Sequence, residues 1–152
     1  MKRILVATDG SEASAQAVSF AVDLAADHAA ELIFVHVAPT LNVSPGVGTG
    51  TRIAAYPHEL TSADVEPLQA AAAVAAEHDV PATTKLVRSN APVDKEILAQ
   101  AESVDAELIV VGSRGHGAVT SVLLGSVSRA LLGGTRRPLL IVHALEVPAA
   151  VA

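Results

Sequence analysis

Three glycines and a serine at fixed spacing are the residues of this chain best placed to do chemistry. The segment Gly112-Ser113-Arg114-Gly115-His116-Gly117-Ala118-Val119-Thr120, continued by Ser121-Val122-Leu123-Leu124-Gly125-Ser126-Val127-Ser128, leaves an apolar run and re-enters a helical pattern. Glycines let the backbone turn tightly and come close to a ligand. Free N–H groups at a helix start, aided by the helix dipole, favour an anion. The chemistry that suits the segment is therefore phosphate held by main-chain donors. Two well-known phosphate loops fail the comparison. Gly112 and Gly117 have the spacing of a P-loop, but Ala118 and Val119 stand where lysine and a hydroxyl residue are needed. A dinucleotide fingerprint would need glycine at Thr120, and would follow the first strand rather than the fourth.

Other polar candidates are fewer. Asp9 follows the first apolar run, in Thr8-Asp9-Gly10-Ser11, where either Asp9 or Ser11 can cap the next helix. His36 sits in an apolar strand and reads as a core or subunit-contact histidine. The six histidines have no metal-ligand spacing with one another or with carboxylates, so no protein-built metal site is expected. No Ser-His-Asp or Cys-His arrangement emerges, and no catalytic residue is assigned. Arg136-Arg137 are expected to offset the dipole at the end of the preceding helix.

These residues need elements to position them. Arg3 to Ala7, Leu32 to Val37, Thr83 to Val87, Glu107 to Val111 and Leu139 to Val142 read as five strands, and Leu32 to Val37 is apolar throughout, as expected where helices cover both faces. Between them, Ala17, Phe20, Ala21, Leu24 and Ala25 fall on one helical face. A second helix is expected over Leu68 to His78 with Pro67 in its first turn. A third begins at Pro92 with Val93, Ile97, Leu98 and Ala101 on one face. A last helix carries Val127, Ala130 and Leu131 and stops at Gly133-Gly134. Pro39 to Pro57 lacks sustained periodicity and reads as an irregular segment that serves as a lid. The alternation predicts an α/β fold, an open five-stranded parallel sheet with helices on both faces, Rossmann-like, with its ligand beyond the carboxyl ends of the strands.

Length and composition fit this outline. The 152 residues suit one domain over 1–145, with 146–152 as a tail. The net charge is −6, with no basic cluster, and aromatic residues are 2% of the chain, so neither a phosphate-tracking groove nor a stacking platform for nucleic acid is expected. No apolar run is long enough to span a bilayer. Thr8 to Glu12 interrupts the opening apolar run before it resembles a signal peptide, and there is no cysteine; a cytoplasmic address follows as the expectation.

A third phosphate pattern fits at every position. Gly112-x-x-Gly115, nine residues, then Gly125-Ser126 matches Gly-x-x-Gly-x9-Gly-Ser/Thr, and the chain resembles the ATP-binding members of the universal stress protein family. The likeness extends from Thr8-Asp9-Gly10-Ser11 through His36-Val37 and Val110-Val111-Gly112-Ser113 to Leu123-Leu124-Gly125-Ser126-Val127 and Pro138-Leu139-Leu140-Ile141-Val142. Two places depart from it. Many members carry glycine before the proline of Ser89-Asn90-Ala91-Pro92, and proline is common where this chain has Ala7.

The resemblance implies an adenine-nucleotide α-hydrolase-like fold and bound ATP, with Mg2+ arriving on the nucleotide. It places Asp9 against the nucleoside with Ala7 and Thr8 on the same wall, and the main chain of Val37 against adenine. Gly112, Gly115, Gly125 and Ser126 take the phosphate and ribose positions, and Val127 and Ser128 continue the helix start. Ser113 and Gly117 complete the loop, while Arg114 and His116 add charge toward a triphosphate. It also implies a homodimer through Leu139 to Val142, an unidentified downstream protein partner, and a stress or signalling role set by ATP without efficient catalysis. The alternatives are a slow ATPase or autophosphorylating protein, and a module for AMP or cyclic AMP.

Overall fold

The computed structural model describes residues 1–44, 54–114 and 124–144. Along the chain run β1 (Arg3–Ala7), α1 (Glu12–His28), β2 (Glu31–Ala38), β3 (Leu41–Ser44), β4 (Ala54–Pro57), α2 (Ser62–Glu77), β5 (Ala82–Arg88), α3 (Val93–Ser103), β6 (Leu108–Gly112), α4 (Ser126–Gly134) and β7 (Leu139–Val142). Five strands form one sheet in the order β5-β2-β1-β6-β7, every pairing parallel. This is the α/β architecture expected from the alternation of apolar runs and helices. Side chains alternate across the sheet. Ile4, Val6, Leu32 and Phe34 meet α1 and α2 on one face, and Leu5, Ile33, Ile109 and Val111 meet α3 and α4 on the other. The chain goes from β1 to one neighbour, β2, and returns later to the other, β6. Their connections leave in opposite directions, which opens a crevice at the carboxyl ends.

Four local expectations change. The buried face of α1 is Ala13, Ser14, Ala17, Val18, Ala21, Val22 and Ala25, whereas Phe20 is half exposed. Small side chains let α1 lie close on the sheet, and that closeness leaves no room for a phenyl ring. The second helix starts at Ser62 rather than near Leu68, so buried Pro67 lies in its interior, not in its first turn. What starts it there is a cap: the Asp64 carboxylate accepts from the Thr61 N–H at 2.8 Å and from the Thr61 hydroxyl at 3.2 Å. Arg137 holds the turn after α3 instead of the end of α4, donating to the Ala106 carbonyl and pairing with Asp105 at 3.4 Å.

The fourth change concerns Pro39 to Pro57. Within it, β3 and β4 form an antiparallel ribbon, Leu41 opposite Pro57 and Ser44 opposite Ala54; residues 45–53 lie outside the described residues, as does the 146–152 tail. Beyond this ladder, the ribbon is anchored by bonds from elsewhere in the chain, which its own residue pattern does not announce. Asn90 Oδ1 accepts from the Thr40 and Leu41 N–H groups at 3.0 and 3.3 Å. Arg88 donates to the His58 carbonyl, and the His58 ring bridges Asn42 Oδ1 at 3.1 Å and Asp64 Oδ2 at 3.0 Å.

Asp64 therefore ties the ribbon to α2. The Thr61 N–H holds its carboxyl below the ordinary value of 3.8, opposed by burial and assisted by His58. A lowered folded value means stability that is present above pH 3.8 and lost as the pH falls through the lower folded value. Asp64→Asn is expected to cost about 1–2 kcal/mol at neutral pH. Urea melts across pH should show the gap to wild type closing below the ordinary carboxylate range; a gap constant down to pH 2 would refute the assignment.

Candidate functional site

The crevice between β1 and β6 has a volume of about 470 Å3. Its first wall is the turn after β1. Gly10 there has φ 80°, a left-handed conformation that glycine adopts without strain. Asp9 Oδ1 accepts from the Ser11 N–H at 2.9 Å, and the Ser11 hydroxyl caps α1 by accepting from the Ser14 N–H at 3.3 Å. Thr8 Oγ1 donates to Ser14 Oγ at 3.2 Å, and Ser14 Oγ donates to the Ser11 carbonyl at 2.9 Å. Asp9 thus closes the short turn before the helix while Ser11 is its N-cap, so of the two residues the sequence offered as caps it is Ser11 that caps α1.

The opposite wall is the end of β6 and the start of α4. Gly112 packs on the α1 backbone so closely that a Cβ there would lie 2.7 Å from Ala13 C and Ser14 N. Ser128 Oγ donates to the Gly112 carbonyl at 2.8 Å, which fixes α4 against the strand it follows. Gly125 donates its N–H to the Ser113 carbonyl at 2.7 Å and serves as N-cap of α4. The two walls are joined by the Ser11 hydroxyl, which donates to the Arg114 carbonyl at 3.3 Å.

The helix starts differ in what they offer an anion. α1 has the Ser11 cap and Glu12 in its first turn, and α3 has Asp94 and Glu96. The first turn of α4 has no acidic residue and its N-cap has no side chain to accept from the N–H groups. With no side-chain cap and no acidic residue in the first turn among the described residues, it is the favourable end for negative charge.

The floor is apolar. Val35, Ile97 and Val111 are buried beneath the crevice, and Val93 stands exposed at the rim. Above them lies the end of β2, whose main-chain directions follow from its hydrogen bonds. Leu32 N–H donates to Pro81 and Ala38 C=O accepts from Ser89, so the even-numbered residues turn toward β5. Val35 C=O accepts from Thr8, so the odd-numbered ones turn toward β1. The register between β1 and β2 ends at Ala7 opposite Val35. Val37 therefore directs its N–H and C=O to a side that β1 has already left, into the crevice it lines.

Of the residues singled out in the sequence, Ala7, Thr8, Asp9, Val37, Gly112, Arg114, Gly125, Ser126, Val127 and Ser128 line this one crevice. Ser113 does not. Its main chain is taken by Val142 and Gly125, and its hydroxyl is buried with no hydrogen-bond partner among the described residues. Gly115, His116 and Gly117 lie outside the described residues. The sequence reading missed Ser14, Val35, His36, Val93, Ile97 and Val111 as lining residues. The signal was present for some: Val35 and Val37 share a strand face, and Val93 and Ile97 share a helix face. Among the described residues, no group of three or more His, Asp or Glu gathers to hold a metal, and no helix is long and apolar enough to cross a membrane.

Comparison with known proteins gives the family and the fold. A family model described as "Universal stress protein family" matches residues 1–143. A universal stress protein of Bacillus subtilis is 36% identical over 147 residues, covering 93% of this chain and 98% of the relative. A universal stress protein of Mycobacterium tuberculosis is 36% identical over 138 residues, covering 91% of this chain but 44% of that longer relative. Among solved structures, a universal stress protein in complex with cAMP superposes with a TM-score of 0.69 at 25% identity, covering 95% of this chain and 98% of the other.

Proposed function

The chain belongs to the universal stress protein family, and on that premise we propose that the crevice binds ATP and that its occupancy sets the protein's conformation and its partners. The observation that carries this reading is the open main-chain edge of Val37 above an apolar floor. An adenine ring offers an amino donor and a ring-nitrogen acceptor side by side, which complements one residue's C=O and N–H. Its faces suit Val35, Ile97 and Val93. The phosphates then run toward the start of α4, where Ser126, Val127 and Ser128 present N–H groups and Ser126 its hydroxyl, with the Gly125 cap and Arg114 beside them. Asp9, at the end of β1, suits the sugar hydroxyls.

Mg2+ fits this arrangement as a companion of the triphosphate, held mainly by phosphate oxygens. We read the protein as a cytoplasmic binding module for stress or signalling rather than an enzyme. Asp9 belongs to the nucleoside end, away from a γ-phosphate, so it is poorly placed as a general base. We further read it as a homodimer through β7. The two edges of the sheet differ: β5 carries Lys85 on its exposed run Ala82 to Lys85, while β7 is Leu139-Leu140-Ile141-Val142, half-buried and uncharged. An uncharged edge invites pairing, and an edge lysine discourages it.

The base end serves ATP, AMP and cyclic AMP alike, so selection among them falls on the phosphate end. Cyclic AMP is the second reading, favoured by the cAMP complex of a structure with the same fold. Thermal melts with each nucleotide, with and without Mg2+, separate the readings. A ligand at about 100 times its Kd adds ~2.7 kcal/mol of stability and a rise of several degrees in Tm. ATP with Mg2+ is expected to give the largest rise. A larger rise with cyclic AMP would transfer the assignment to the second reading, and no rise with any of the three would refute both.

A further inference from the structure

Resting on the adenine-nucleotide reading, we propose that His36 is the positioning residue that keeps the Val37 edge open. In a parallel ladder, the residue two beyond Val35 would donate its N–H to the carbonyl of the residue after Ala7, which is Thr8. The Val37 N–H and the Thr8 carbonyl are thus natural partners, and their bond would close the crevice by one rung. The Thr8 carbonyl instead meets His36 Nδ1 at 2.8 Å. A carbonyl oxygen only accepts, so Nδ1 carries the proton and the imidazole donates.

Three consequences follow from this one bond. Thr8 is held on both sides by β2, its N–H by the Val35 carbonyl at 2.9 Å and its carbonyl by His36. The turn that carries Asp9 is thereby anchored at its first residue. With the Thr8 carbonyl turned to His36 Nδ1, the Val37 N–H makes no bond to it and is left to the crevice. His36 itself is half-buried at the crevice lining, so its role is structural support at the ligand's edge rather than proton transfer.

The ring nitrogen that matters is one bond from Cγ, which gives a chemical test. Asparagine places its amide N–H at nearly the same point, glutamine places it one carbon further out, and leucine has none. The experiment compares the full-length wild type with His36→Asn, His36→Gln and His36→Leu, reading ATP affinity by calorimetry and Val37 amide exchange by NMR without nucleotide. His36→Asn is expected to bind within about threefold of wild type, whereas His36→Gln and His36→Leu lose tenfold or more. In His36→Leu the Val37 amide should also become markedly slower to exchange, as it bonds to the freed Thr8 carbonyl.

Equal loss in all three variants, wild-type affinity in His36→Leu, or an unchanged Val37 amide in that variant would overturn the assignment. Should His36→Leu fail to fold, the wild-type ring 15N spectrum decides: a protonated, hydrogen-bonded Nδ1 supports the inference and a ring protonated at Nε2 alone refutes it. Wild type that binds no adenine nucleotide would refute the underlying reading instead. The amide and ring measurements still report on the Thr8 bond in that case, so the two failures are distinguishable.

Discussion

Gly112→Ala is expected to destabilise the domain by about 1–3 kcal/mol, the range of overpacked cores, and to weaken nucleotide binding in the same step. The added Cβ would lie 2.7 Å from Ala13 C and Ser14 N and 3.0 Å from Ala13 O. These are main-chain atoms at the start of α1, so no side chain can rotate away to make room. Relief requires α1 to shift from β6, and α1 carries Ser14 and the Ser11 cap that define the Asp9 wall. Gly133→Ala is the matched control. Nothing lies within 4 Å of a Cβ there, and Gly133 is in the last turn of α4, where alanine is the better helix former by up to ~1 kcal/mol. Urea midpoints should therefore fall for the first variant and hold or rise for the second. A neutral Gly112→Ala would mean that α1 does not rest on β6 as described.

The second large effect is a change of opposite sign in two measurements. Ser126→Asp puts a carboxylate in the first turn of α4, which has no acidic residue and a glycine N-cap. Without ligand, the charge complements the helix dipole and adds about 0.3–1 kcal/mol. With ligand, it stands where phosphate oxygens are proposed to sit, and affinity for ATP is expected to fall a hundredfold or more. Ser126→Asn keeps a polar side chain of similar size without the charge and should lose far less. Calorimetry and thermal melts on the same samples decide the matter. A Ser126→Asp protein that still binds ATP at wild-type strength would remove the phosphates from α4.

The sequence revealed the sheet because its central strands are buried on both faces, leaving continuous apolar runs such as Leu32 to Val35 and Ile109 to Val111. Glycine spacing, a backbone property visible without knowledge of packing, marked Gly112, Gly125 and Ser126, and the family resemblance supplied Ala7, Thr8, Asp9 and Val37. The elements the sequence concealed depend on distant partners. The β3–β4 ribbon is anchored by Asn90, Arg88 and the His58–Asp64 contact, partners that its own residues do not announce. The start of α2 is set by Thr61 and Asp64, while Pro67 suggested a later beginning. The orientation of α1 is decided by how near the alanines let it approach, which helical periodicity alone does not contain. His36 looked like a core or subunit-contact residue because its partner is the Thr8 carbonyl, in the turn after another strand.

One hydroxyl described above also constrains which sequences this site can accept. By helix-capping preference alone, aspartate would serve at position 11 as well as serine does. The Ser11 hydroxyl, however, accepts from the Ser14 N–H and donates to the Arg114 carbonyl, each at 3.3 Å. A carboxylate could do the first and would set its lone pairs against the second. The position is thus read by two grammars at once, that of a helix start and that of a cross-crevice bridge, and a hydroxyl satisfies both. A mutation scored only for its helix would pass there and still separate the β1 side of the crevice from the β6 side.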